Sequence, residues 1–105
     1  MSNDPSVPPE YTLRLFITGT TARSTRAIDN MRRICADNLH GRYHLEIIDI
    51  YEHPELTKEY QIVAAPTLVK ALPLPLRRII GDLSDKQRVL AGLDVTPVER
   101  AEKPD

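Results

Sequence analysis

The sequence predicts one α/β domain with the element order β-α-β-α-β-β-α. Three observations carry that expectation. Residues 11–18 (YTLRLFIT) alternate in hydropathy, residues 23–39 repeat apolar side chains at helical spacing, and residues 43–50 (YHLEIIDI) alternate again. Together they form a βαβ unit whose two strands run parallel. Farther on, Pro66 stands between Ala65 and Thr67, just ahead of Leu68-Val69. Proline holds its own φ and pushes the preceding residue toward extended backbone, so this step leads into a short strand.

A chain of 105 residues suffices for one domain and not for two. The aromatics are Phe16, Tyr11, Tyr43, Tyr51 and Tyr60, with no tryptophan, so Ile, Leu and Val must supply the core. Fourteen basic against fifteen acidic residues leave a net charge of −1. That balance argues against nucleic acid as a partner, because such binding needs a basic face. Arg23, Arg26, Arg32 and Arg33 cluster on the first helix, where they read as a solvated face. Cys35 is the only cysteine, so no intrachain disulfide can form. No apolar run reaches the length of a membrane span, and residues 1–10 lack the apolar stretch of a signal peptide. A cytoplasmic protein with no membrane partner is expected.

Residues 1–10 (MSNDPSVPPE) are expected to form a flexible lead-in, because three prolines deny it regular hydrogen bonding. The ordered domain is expected over 11–95. In the first strand Leu13, Leu15 and Ile17 share one face, with Arg14 and Phe16 on the other, which suggests cover on both sides. Gly19-Thr20-Thr21 breaks it, and Thr20 or Thr21 can cap the helix that follows. Ala27, Met31, Ile34 and Cys35 form its apolar stripe, and Gly41 ends it. After residue 50 the local signals compete. Pro54 starts a helix-compatible stretch over 55–63 that holds the β-favouring Tyr60, Ile62 and Val63. Pro73 and Pro75 exclude a central strand between them, and Arg77 to Ile80 read as a short strand closed by Gly81-Asp82. Ser84 with Gln87 three residues on makes a capping-box pattern for a last helix. Residues 96–105 are charged and are expected to be a flexible tail.

No active site is legible. The Ala-Pro-Thr step resembles the cis-proline strand start of thioredoxin-like domains, whose redox pair lies between the first strand and its helix. Here that place holds Thr21-Ala22-Arg23-Ser24, with no thiol. Cys35 sits on the apolar stripe, where a small packed side chain is the ordinary case. His40, His44 and His53, with one thiol in the chain, do not suggest a zinc site. Asp49, Asp82 and Asp94 are single acids beside strands or turns, and no glycine-rich phosphate loop occurs. No catalytic residue, metal or cofactor is expected, and a binding module is the natural reading.

The segments GTTARSTRAI, EIIDIYEHPEL, AAPTLVKALPLPLRRIIGDLSD and VLAGLD strongly resemble the KaiB family, small partners of the circadian clock ATPase KaiC. The resemblance runs from about Tyr11 to Val95. It implies a non-enzymatic regulator that alternates between a thioredoxin-like monomer and a ground-state fold of order β-α-β-β-α-α-β. In the ground state such proteins self-associate as dimers or tetramers. The thioredoxin-like form is implied to bind the N-terminal ATPase ring of KaiC, with KaiA as a further partner in cyanobacteria. Gly92 and Asp94 match the pair that biases the switch, so Gly92→Ala, with or without Asp94→Arg, is expected to favour the thioredoxin-like form. The resemblance also makes Pro66, Pro73 and Pro75 candidates for isomerisation coupled to that switch. Arg26, Asp49, Gln61, Arg77 and Arg78 match positions that make them interface candidates. Gln61 stands where cyanobacterial members carry lysine, so a member from outside the cyanobacterial clock is expected, serving a circadian, timing or stress-response system. A degenerate thioredoxin-like adaptor for another signalling partner, such as a histidine kinase, is the alternative.

Overall fold

The computed structural model describes residues 10–94. Except for Glu10, the expected lead-in lies outside the described residues, as does the expected tail. The order is β1 (Tyr11–Ile17), α1 (Ala22–Asn38), β2 (Tyr43–Asp49), α2 (Pro54–Glu59), β3 (Thr67–Leu72), β4 (Arg77–Ile80) and α3 (Lys86–Gly92). This is the thioredoxin-like order, and not the alternative β-α-β-β-α-α-β. One four-stranded sheet runs β2-β1-β3-β4. β1 pairs parallel with β2 and antiparallel with β3, while β4 lies antiparallel at the edge beside β3.

The two faces of β1 build two cores. Tyr11, Leu13, Leu15 and Ile17 pack with Ala27, Met31, Ile34 and Cys35 of α1 and with Val89 and Leu90 of α3. On the opposite face Phe16, Ile48 and Val69 form a smaller cluster, joined by Leu56, Tyr60 and Ile62 from α2 and the segment after it. The alternation that gave Phe16 to the second face therefore marks a real core, thinly covered by a helix of six residues.

α1 is capped by Thr21, whose Oγ1 accepts from the Ser24 N–H at 3.2 Å. Left-handed backbone at His40 and Gly41 ends it. Two expected boundaries shift. α2 stops at Glu59 instead of continuing through Val63, because left-handed Gln61 (φ 54) turns the chain and leaves Ile62 to pack against the second core. The cap of α3 is Asp85 rather than Ser84, its carboxylate accepting from the Arg88 N–H at 3.1 Å. Asp and Ser cap about equally well, so the turn at Leu83, and not residue type, decides which of them takes the position. Ser84 is used instead by Asp82, whose Oδ1 accepts from the Ser84 N–H.

Gly92 is the last residue of α3 and keeps helical backbone; the left-handed position is Asp94, at φ 60. What Gly92 supplies is room. A methyl there would stand 2.7 Å from Ile79 Cδ1 on β4. Alanine gains about 1 kcal/mol of helix propensity over glycine, and forcing Ile79 off its rotamer costs about 0.5–1.5 kcal/mol. In this fold the two effects nearly cancel for Gly92→Ala alone. Ile79→Val removes the clashing carbon. Urea denaturation of Gly92→Ala, Ile79→Val and the double variant is therefore expected to show a favourable coupling of about 0.5–1.5 kcal/mol. Strict additivity would contradict the contact.

Candidate partner-binding surface

The place where a thioredoxin-like domain carries its redox pair is filled with hydrogen bonds. Ser24 is fully buried and its Oγ accepts from the Thr18 N–H at 3.1 Å. Asp49, at the end of β2, accepts from the Gly19 N–H at 3.2 Å and the Tyr51 N–H at 2.9 Å. This carboxylate braces the β1–α1 loop against β2. Cys35 lies buried in the larger core, and burial pushes its thiol up to about 12, far from a reactive thiolate. Among the described residues no cluster of three or more His, Cys, Asp or Glu could hold a metal ion.

The feature that could receive a partner lies on the α2 face. α2 covers Phe16, Ile48 and Val69 and leaves the other half of that sheet face open. There an open groove of about 590 Å³ is lined by Thr12 and Arg14 from β1, Glu59 at the end of α2, Tyr60 and Gln61 after it, Ala71 and Leu72 from β3, Leu76, and Arg78 from β4. Leu72, Leu74 and Ile80 are exposed beside or near it. The buried Lys70 holds the intervening turn, its Nζ donating to the Pro73 carbonyl at 2.7 Å. The Ala65-Pro66, Leu72-Pro73 and Leu74-Pro75 peptide bonds are cis.

Two arginines and one acid, Glu59, give the groove its charge, which is basic on balance. Arg78 donates from Nη2 to the Tyr60 carbonyl at 3.1 Å. The Arg14 guanidinium lies 5.4 Å from the Tyr60 ring centre, a cation–π contact that orients it. Its Nε is 3.3 Å from Glu46 Oε1 on the neighbouring strand. Yet the buried Nε–H has no aligned acceptor, so the pair is a charge contact without a hydrogen bond. A groove that sets Ala71, Leu72 and Leu76 beside two guanidinium groups and a single carboxylate suits a protein segment that brings an acid and an aliphatic side chain.

The five interface candidates do not form one site. Gln61 and Arg78 share the groove. Arg77 falls on the opposite face by strand alternation, across from Lys70. Arg26 is on α1, its Nε 3.5 Å from Asp82 Oδ2. Asp49 is committed to the loop described above. Hydrogen bonding from Ser84, aided by the Arg26 guanidinium, holds the Asp82 carboxyl below the ordinary 3.8, although partial burial works the other way. The stability that Asp82 contributes is therefore present above the ordinary carboxylate range and lost as pH falls through the lowered value. Arg14, Tyr60 and Leu76 line the groove without being among the sequence candidates. The signal for Arg14 was its place beside Phe16 on the second face of β1.

A four-stranded sheet of order β2-β1-β3-β4 with helices on both faces, and no thiol at the head of α1, define a thioredoxin-like domain lacking the redox pair. Solved structures share this fold. The N-terminal domain of Synechococcus elongatus SasA superposes with a TM-score of 0.69 at 24% identity, covering 90% of this chain and 91% of that one. Mitochondrial thioredoxin 3 from Saccharomyces cerevisiae gives 0.66 at 17% identity, over 82% and 78%.

The chain belongs to the KaiB family: the KaiB domain matches residues 14–95. Circadian clock protein KaiB3 of Synechocystis is 52% identical over 81% of this chain and 83% of its own length. The circadian clock oscillator protein KaiB of Synechococcus elongatus is 48% identical over the same shares.

Proposed function

We propose that the chain is a non-enzymatic regulator in a circadian, timing or stress-response system. It binds the N-terminal ATPase ring of a KaiC-type ATPase, and exchange with a second, self-associating fold sets the pace of binding. The single observation that carries this reading is the KaiB match across residues 14–95, with clock proteins as relatives near 50% identity.

Two features of the chain support it. The thioredoxin-like frame carries no thiol at the head of α1, which favours recognition through the open sheet face. The half after residue 50 is also weakly committed to its fold. α2 and α3 have six and seven residues, and Gln61, Leu83 and Asp94 hold left-handed backbone without being glycine. Such positions cost on the order of 1–3 kcal/mol each, which narrows the gap to a competing arrangement of the same half. The ring-binding form is the thioredoxin-like one.

Sedimentation of the full chain with the KaiC-type ATPase of the same genome, under ATP and under ADP, tests the reading. A complex in at least one nucleotide state is the expected result. Its absence in both states, with a histidine kinase recovered from the same lysate, would replace this function with the adaptor role.

A further inference from the structure

At the turn between β4 and α3, polar contacts from α1 and from the turn itself meet on one residue. Asn30 of α1 donates from Nδ2 to the Asp82 carbonyl at 2.8 Å, and Arg26, one turn earlier, places Nε 3.5 Å from Asp82 Oδ2. The other carboxylate oxygen accepts from the Ser84 N–H at 3.2 Å. On either side the backbone is unusual, with Gly81 at φ 130 and Leu83 at φ 63. A bulky residue rarely takes left-handed backbone, yet Leu83 is buried in the core that α3 shares with β1 and α1.

α3 itself is weak. A seven-residue helix is not stable alone, so it persists because Val89, Leu90 and Leu93 are buried and because the turn before it is held in shape. We propose that Asp82 is a latch: gripped by Arg26 and Asn30, it holds the β4–α3 turn against α1 and sets how often α3 lifts from the core. Lifting α3 exposes the apolar surface beneath it while β1 and α1 stay packed. This device goes beyond the partner-binding function and needs no partner to operate.

Amide hydrogen exchange on the full chain tests it. The amides of Val89 and Leu93 are bonded to the Asp85 and Val89 carbonyls and report opening of α3, whereas the amides of β1 report the central strand. Asp82→Ala keeps the carbonyl that Asn30 uses but removes the carboxylate; Asn30→Ala does the reverse. Each is expected to speed exchange at Val89 and Leu93 by about tenfold with β1 unchanged. Arg26→Met is expected to do the same alone and to add nothing in the Asp82→Ala background. Unchanged α3 exchange would overturn the latch. So would equal acceleration in β1, which signals global loss of stability, or independent additive effects of Arg26→Met and Asp82→Ala.

Discussion

Arg78→Glu is expected to weaken binding to the KaiC-type ATPase at least tenfold, about 1.4 kcal/mol, while leaving the domain folded. Arg78 is exposed on the edge strand and its side chain makes one hydrogen bond, to the Tyr60 carbonyl, so its loss costs little stability. Reversal places a carboxylate in the groove that Arg14 shares, changing the sign of the charge offered to a partner's acid. Arg77→Glu makes the same charge change on the opposite face and is expected to matter less. Titration by fluorescence anisotropy separates the two. Equal losses would mean that net charge, rather than the groove, governs the encounter.

Phe16→Ala is expected to cost about 3–5 kcal/mol in urea denaturation, a large share of what a domain of this size possesses. Among the described residues, Phe16 is fully buried in a cluster with two other buried members, Ile48 and Val69. Its ring also meets Tyr60, with centroids 5.7 Å apart at 51°. Removing the ring takes away the contact that docks the end of α2, so the groove wall formed by Tyr60 and Gln61 goes with it. A loss under about 1.5 kcal/mol would show that the second core collapses around the gap, and that α2 is held by other means.

The first half of the domain was legible because local and global preferences agree there. Alternation in β1 and β2, the stripe from Ala27 to Cys35 and the Thr21 cap each point to the element that forms. In the second half, tertiary contacts override local preference. The helix-compatible stretch over 55–63 ends early, as the β-favouring Ile62 packs against the second core, and Asp85 takes the cap that Ser84 and Gln87 advertise. The groove was half legible. Gln61 and Arg78 came from family resemblance, whereas Arg14 and Tyr60 meet them only through strand register and the turn after α2, which no local pattern encodes. Arg26 and Asp82 lie 56 positions apart in sequence, and only the packing of α1 beside the β4–α3 turn unites them.

The most direct test of the central claim is the rate at which the complex forms as the KaiC-type ATPase is raised in large excess over the chain. If exchange between two folds precedes binding, the observed rate levels off at a value independent of ATPase concentration. A rate that climbs in proportion to concentration throughout would contradict the account, because every molecule would then already hold the binding form.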